Sequence, residues 1–336
     1  MKVCLLPLLL ISLSACSNYN GDKALQNYQQ RLARVLDTPL ADTAMPDAAA
    51  LAKQRDLKQP LPDVRLDLTD AYATRHCSLD SLIGERNSSL GKVYSASKQL
   101  SYELRFLSQL QQCLAQSWDN TVLLSQLQQV YQQKQLSIDI AFNNMLLTDD
   151  TLRKELLGVR QALPLNAAAG ISETWQALTE LNRLQQFIAE QNWQAASQID
   201  IEQQLQLLYQ YNVLARLQYS LRDAGHQLTQ VNLLTANITP ASLCPQRRDS
   251  EKLRILSNVF SKYFVSEVQL YTSELNRYQQ QLWPLLQQLY QHTALNNALT
   301  QRFEQTHLTM RTELSRHVTW WQTLNSQCPI ELTARQ

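Results

Sequence analysis

Leucine and glutamine recur at helical spacing through most of this chain. The 336 residues include 61 leucines, 43 glutamines and only six glycines. Runs such as Leu104, Leu107, Leu110 and Leu114 put leucine on one face of a helix. Both residue types favour helix, whereas the β-branched residues that favour strands are comparatively sparse. The sequence therefore predicts an all-α protein, a bundle of long amphipathic helices.

The predicted helices cover most of the chain after residue 20. A break is expected near residues 87–91, where polar residues and glycine interrupt the pattern, and a bend is expected at Pro284. The predicted bounds are 22–36, 67–74, 78–117, 120–147, 150–157, 172–190, 199–237, 249–293 and 297–325.

Residues 37–64 lose the helical periodicity. Proline fixes φ and lacks an N–H donor, so the prolines at positions 39, 46, 60 and 62 predict an extended arm. Such an arm has the reach to hold a folded body away from a membrane.

The N-terminus has the layout of a secretory signal. Lys2 is followed by a mostly apolar stretch over residues 3–13, which is shorter than the roughly 20 residues a membrane span needs. Leu13-Ser14-Ala15-Cys16 resembles the lipobox of bacterial lipoproteins, which implies cleavage before Cys16 and acylation of that residue. By analogy with lipoprotein sorting, the serine that follows implies the periplasmic face of the outer membrane.

The charge balance limits the partners. Removing residues 1–15 takes away one lysine and leaves 29 basic and 29 acidic side chains. A neutral chain has no basic field that would collect phosphates, so nucleic acid is not an expected partner. The N-terminal lipid is the expected contact with the membrane, since no later stretch has the apolar length of a span.

Four cysteines remain after signal removal and acylation. An even number in an exported chain predicts disulfides, and three pairings are possible. We favour Cys77 with Cys113 and Cys244 with Cys328, because each bond would then join a local helical hairpin. Four free thiols are the alternative. The absence of a C-x-x-C sequence argues against a redox site or structural zinc.

The most distinctive polar motif lies between residues 78 and 92. A functional interpretation makes Glu85 a base or Arg86 an anion-binding group. A structural interpretation makes Glu85, Arg86, Asn87 and Ser88 a hydrogen-bonded turn, with Gly91 allowing close packing. Adjacent helical residues point apart, so Glu85 and Arg86 do not simply serve one site, and we favour the structural interpretation.

This motif also carries a family resemblance. Residues 84–93 read Gly-Glu-Arg-Asn-Ser-Ser-Leu-Gly-Lys-Val and, with residues 27–37, 243–245 and 262–269, look like an uncharacterised family of Gram-negative envelope lipoproteins. That family is described as a domain of unknown function. The resemblance covers nearly all of the mature chain and supports the lipoprotein and cysteine predictions. It implies no activity, ligand or catalytic residue.

Histidines and aromatic residues give no clear site. No histidine pair has the spacing of a helical metal site, so neither a metal nor a cofactor is predicted. One predicted helix is rich in aromatic residues, for which we favour core packing over a groove for a carbohydrate or a partner. They are Tyr263, Phe264, Tyr271, Tyr278, Trp283 and Tyr290.

The sequence shows no set of catalytic residues. We therefore expect a non-enzymatic envelope lipoprotein that acts as a scaffold or interaction protein, with an envelope protein as its partner. The alternative is a periplasmic binding module holding a lipid, peptide or glycan between helices. The expected organisation is a signal peptide at 1–15, a lipidated N-terminus with helix and arm at 16–75, and a bundle at 76–336, with candidate sub-units at 76–158 and 171–336.

Overall fold

The computed structural model describes residues 20–40, 43–62, 66, 68–89, 91–166 and 169–329. The predicted signal peptide and Cys16 lie outside the described residues.

Helices dominate the described residues, and no strand occurs among them, so the all-α prediction is confirmed. An antiparallel bridge joins Asn20 to Pro164. The first helices are α1 Gly21–Leu36, α2 Gln54–Leu57, α3 Leu68–Ala73, α4 Leu79–Asn87, α5 Ala96–Leu114, α6 Thr121–Thr148, α7 Asp150–Leu157 and α8 Ile171–Ala189. The remaining ones are α9 Trp193–Ser197, α10 Ile201–Tyr211, α11 Val213–Thr235, α12 Pro240–Leu243, α13 Glu251–Val259, α14 Leu270–Tyr290, α15 Asn296–Leu299 and α16 Thr306–Gln327.

Two π-helical segments interrupt the C-terminal helices. Phe260–Gln269 joins α13 to α14, and Thr300–Gln305 joins α15 to α16. Pro284 lies inside α14, downstream of the first π segment. A π segment inserts extra residues into a helix and so changes the face that later side chains present. The leucine spacing in the sequence gives no sign of either π-helical segment.

Side-chain caps explain where several helices begin. Asn120, Asp149 and Ser250 each accept a hydrogen bond from a backbone N–H in the first turn of α6, α7 and α13, respectively.

The prediction of a single helix over residues 199–237 is wrong. Asn212 has φ 52°, a left-handed conformation that asparagine tolerates, and it ends α10 and starts α11.

Helix α11 lies at the centre of the bundle and packs against α1, α14 and α16. Tyr28 of α1 and Trp321 of α16 are fully buried in this core. The core therefore includes residues on both sides of position 75, where the sequence suggested a boundary. A smaller cluster packs α4 and the start of α6 against the outer face of α5.

Both disulfides have the favoured pairing. Cys77 joins Cys113 with Cα atoms 5.2 Å apart, and Cys244 joins Cys328 with Cα atoms 5.7 Å apart. The first pairing requires the chain to reverse between α4 and α5, and the reversal falls in the predicted break after Asn87. The second ties the end of α16 to the segment after α12.

Residues 43–62, named the strap below, follow the surface of the bundle without regular secondary structure apart from the short helix α2. Side chains of the body hold its backbone at several points, including Asn144, which accepts from the N–H of Gln59 and donates to its carbonyl, both at 2.8 Å. Helix α1 precedes the strap and lies in the core. The described strap is therefore docked on the bundle and does not extend from it as a free arm.

None of the described helices combines the length and the apolar character needed to cross a bilayer.

Candidate functional site

Glu85 of α4 is bound by two side chains from outside its helix. Arg105 of α5 donates to both carboxylate oxygens, at 3.1 and 2.6 Å, and the Tyr94 hydroxyl donates to Oε1 at 2.6 Å. The Arg105 hydrogen bonds, followed by that from Tyr94, lower the pKa of Glu85. A carboxylate held in this way is a weak proton acceptor, and it connects α4 to α5.

Arg86 and Ser88 close the turn that follows Glu85. The Arg86 guanidinium donates to the Gly91 carbonyl. The Ser88 hydroxyl donates to the Glu85 carbonyl at 2.7 Å and accepts the Gly91 N–H at 3.1 Å. A Cβ on Gly91 would lie 2.6 Å from the Arg86 carbonyl oxygen, so only glycine fits this approach.

Asn87 differs from its neighbours in the motif. Its side chain is exposed and makes no hydrogen bond with the described residues. It lines a cavity instead. The motif therefore contains residues tied into the turn together with Asn87, whose side chain lines the cavity.

The cavity beside Asn87 has a volume of about 800 Å³ and lies between the strap, the end of α4, α5 and α6. Tyr94, Tyr102 and Phe106 supply aromatic surface to its wall. Apolar rings combined with a few polar groups are typical of sites for small ligands. The aromatic wall comes from α5 and its preceding turn, and not from the tract that the sequence drew attention to.

An ion pair lies in the same wall. Lys134 Nζ is 2.7 Å from Glu103 Oε2, with side chains 11% and 7% exposed. Gln99 also donates to the Glu103 carboxylate. A buried ion pair of this kind loses much of its hydration energy, so it adds little net stability. It does hold two polar groups at a fixed position in the cavity wall.

A second cavity of about 900 Å³ is lined by the strap, the start of α5, α7 and α10. The two cavities share Lys58 of the strap, together with Tyr94 and Ala96. These three residues therefore lie where the two cavities adjoin.

The aromatic tract of α14 and the preceding π segment packs in the core, as favoured. Phe264, Tyr271 and Tyr290 are each 1% exposed. Tyr28 and His317 form a hydrogen bond of 2.6 Å in this core, and Trp321 Nε1 donates to both. Burial lowers the pKa of His317 to about 3, so its ring stays neutral and serves packing.

Glu155 of α7 is a buried titratable group outside the cavities. It is 1% exposed, and its Oε2 accepts the Ala215 N–H at the start of α11 at 3.1 Å. Its Oε1 has no partner among the described residues. Burial raises the pKa of Glu155 to about 7.

Among the described residues, no cluster of three or more His, Cys, Asp or Glu side chains could hold a metal ion.

Sequence reasoning missed several residues of this region. Arg105, Lys134 and Asn144 come from regular helical stretches, and no spacing in the sequence distinguishes them from surface residues. Tyr94 lies only two residues after the end of the motif, so its position in the sequence could have marked it as part of the same site. The predicted residues Glu85, Arg86, Ser88 and Gly91 meet in one turn, whereas the four cysteines lie at two separate places.

Taken together, the chain is a disulfide-linked, all-α bundle with a cavity beside a polar turn. It belongs to a family described as "Protein of unknown function (DUF3080)", which matches residues 25–332. Comparison with curated proteins and with solved structures found no match in either.

Proposed function

We propose that this protein is a lipid-anchored, non-enzymatic envelope lipoprotein that acts as a scaffold or interaction protein. The observation that carries the proposal is the pair of disulfides, because such bonds persist in oxidising compartments outside the cytoplasm. The signal layout and Cys16 supply the anchor, and the N-terminal acyl chains are its contact with the membrane. The location proposed is the periplasmic face of the outer membrane.

Metabolic labelling with a palmitate analogue tests the anchor. Wild-type protein is expected to carry the label and to float with membranes, whereas Cys16→Ala protein is expected to lose both properties. Cys4→Ala is the matched control, since that cysteine lies within the predicted signal peptide. Labelling that persists in Cys16→Ala protein would contradict the proposal.

The interaction role is tested by crosslinking in intact envelopes. A photoreactive residue at Val122 or Leu136, which are 69% and 82% exposed, leaves the core undisturbed. Crosslinks to one defined envelope protein are expected at some surface positions and not at others. Monomer alone at every position, with several crosslinkers, would contradict a scaffold.

The cavity of about 800 Å³ favours a second candidate function, a binding module for a lipid, peptide or glycan. Native mass spectrometry of protein purified without detergent tests it, because a bound ligand adds mass. Ala96 lines both cavities, so the large side chain of Ala96→Trp should occupy cavity space and prevent ligand binding. Ala115→Trp, at the exposed far end of α5, should leave ligand binding unchanged. Wild-type protein that carries no added mass would count against this role.

A further inference from the structure

The charged side chains around the cavity beside Asn87 do not balance. Three basic residues line it, Lys58, Arg86 and Lys134, whereas Glu103 is the acidic residue there among those described. Glu103 is paired with Lys134. Within the described part of the chain, neither Lys58 nor Arg86 forms an ion pair. The cavity therefore presents two uncompensated positive charges.

The hydroxyl of Tyr102 lacks a partner at the wall of the same cavity. Tyr102 is 4% exposed and makes no hydrogen bond with the described residues. Its ring centroid is 6.2 Å from that of Tyr94 and 5.8 Å from that of Phe106, and both of these rings line the cavity too. Burial raises the pKa of Tyr102, so the hydroxyl keeps its proton and can donate. Because a polar group with so little access to water is costly to leave unpaired, this hydroxyl is suited to bind an occupant of the cavity.

Asn87 and Lys134 add further hydrogen-bonding capacity. The Asn87 amide can both donate and accept, and it does neither among the described residues. The Lys134 ammonium carries several donors, of which Glu103 takes one at 2.7 Å. Together with Tyr102 and the two unpaired cations, these open groups are mostly donors. A complementary ligand is therefore rich in acceptors.

The strap backbone offers little to a peptide at this cavity. The N–H and the carbonyl of Gln59 are both bound to Asn144, and Pro60 and Pro62 have no N–H. Recognition of an extended peptide depends on such backbone groups. A peptide is thus a poor match for this wall.

An acyl chain is also a poor match. It would cover the Tyr102 hydroxyl, the Asn87 amide and the Lys134 ammonium without replacing their hydrogen bonds to water. A sugar, by contrast, has C–H groups on the faces of its ring, which pack against aromatic side chains, and hydroxyls at its rim, each of which can donate and accept. The two unpaired cations favour a sugar that also carries a carboxylate.

We propose that the cavity between the strap, α4, α5 and α6 binds an acidic sugar, with the sugar ring against Tyr94 and Tyr102 and the carboxylate facing Lys58 and Arg86. Its volume of about 800 Å³ lies within the range of small-ligand sites. This proposal rests on the second candidate function above, the binding module, and names the class of its ligand.

Isothermal titration calorimetry with two matched pairs of sugars tests the proposal. N-acetylmuramic acid differs from N-acetylglucosamine by a lactyl ether that carries a carboxylate, and galacturonic acid has a carboxylate where galactose has a hydroxymethyl group. We expect at least one acidic sugar to bind at millimolar concentration or below, about tenfold tighter than its neutral counterpart, because charge-assisted hydrogen bonds are the stronger ones. Equal affinity within each pair, or binding of none of the four, would overturn the proposal.

Tyr102→Phe tests the site, because it removes one oxygen atom and keeps the ring. It should weaken binding of the acidic sugar by about threefold to tenfold and leave the melting temperature unchanged or higher, since the hydroxyl has no partner to lose. Tyr72→Phe is the matched control, since Tyr72 is 66% exposed and lies outside both cavities. A Tyr102→Phe protein that binds the sugar as tightly as wild type would refute the assigned site.

Lys58→Gln tests the contact with the carboxylate. It should reduce the preference for the acidic over the neutral sugar by about threefold or more. Lys53→Gln, an exposed change on the strap outside both cavities, should keep the full preference. A preference that survives Lys58→Gln intact would contradict the proposed orientation of the ligand.

Competition separates a sugar from other anions. Inorganic phosphate or adenosine monophosphate that displaces the acidic sugar, and binds at least as tightly, would assign the cavity to a simple anion or a nucleotide and overturn the proposal.

Native mass spectrometry distinguishes failure of this proposal from failure of the binding function. Added mass that fragments as a fatty acid or a peptide would keep the binding function and overturn the sugar. Wild-type protein without added mass that also binds none of the four sugars would remove both. The scaffold role is tested independently by the crosslinks described above.

Discussion

Arg105 binds both carboxylate oxygens of Glu85, although 20 residues separate them in the chain. The pair holds α4 against α5 across the reversal that also brings Cys77 to Cys113. Because the same contacts lower the pKa of Glu85, the carboxylate stays charged, and both of its oxygens already accept hydrogen bonds. This geometry favours a structural role for Glu85 over one as a catalytic base.

Gly91 should tolerate no side chain. Gly91→Ala is expected to destabilise the protein by about 1–3 kcal/mol, because the new Cβ would meet the backbone of α4. Gly84→Ala is the control, since a Cβ there meets nothing within 4 Å and alanine favours helix by up to about 1 kcal/mol. Urea denaturation of both variants measures the difference. Equal stability of the two would show that the turn does not need glycine.

Arg86 and Asn87 should separate stability from binding. Arg86→Ala is expected to cost about 1–3 kcal/mol, because the Gly91 carbonyl loses its donor. Asn87→Ala should leave the melting temperature within about 1 °C, since surface changes away from such contacts cost little. If the cavity binds a ligand, Asn87→Ala should weaken that binding. The reverse pattern in thermal melts would contradict these assignments.

Each disulfide should be present in exported protein and should contribute to stability. The loops close over sequence separations of 36 and 84 residues. In the chain-entropy picture these correspond to about 4 and 4.5 kcal/mol. Non-reducing peptide mapping should give the two crosslinked peptides, and paired Cys→Ala variants should melt at lower temperature. Recovery of all four residues as free thiols would argue against an oxidising compartment.

Glu155 should make stability depend on pH. The unfolded chain releases this proton near pH 4.5, whereas burial holds it in the folded protein to about pH 7. At this group the folded state therefore binds more protons over that range, so the contribution of Glu155 to stability falls as pH rises from 4.5 to 7, by at most about 3 kcal/mol. Burial of His317, whose pKa is lowered to about 3, acts in the opposite direction up to about pH 6.5, so the effect of Glu155 is the difference between wild type and the Glu155→Gln variant. Glu155→Gln should remove this fall.

Urea midpoints at pH 5 and pH 8 measure the effect of Glu155. Glu202→Gln, an exposed change on α10, serves as the control and should behave as wild type. Asp223, whose pKa burial raises to about 6, and His317 also contribute to the pH dependence, so the comparison is with wild type. An equal change in stability between pH 5 and pH 8 in wild-type and Glu155→Gln protein would show that Glu155 does not titrate there.

The sequence predicted the helical class and the break after Asn87, because turn-forming residues interrupt a strong apolar periodicity there. It could not reveal the break at Asn212, since the leucine pattern continues on both sides and the left-handed backbone of one residue leaves no mark on it. The proline pattern predicted that the strap is extended, but not that it docks on the surface of the bundle. Its partners, such as Asn144 and Arg302, lie 85 and 253 residues away, and single-sequence patterns carry no information on such pairs.

The contact between Tyr28 and His317 also determines when α1 can complete its packing as the chain folds. The two residues are separated by 289 positions, so α1 finds its buried partner only in the last helix of the chain. A polypeptide that crosses a membrane from its N-terminus must keep α1 without that partner until α16 has emerged. Such long-range closure is slow and exposes apolar surface in the meantime. The first helix therefore reaches its buried partner late in folding, and we expect a chain truncated before α16 to be bound by chaperones or degraded by proteases.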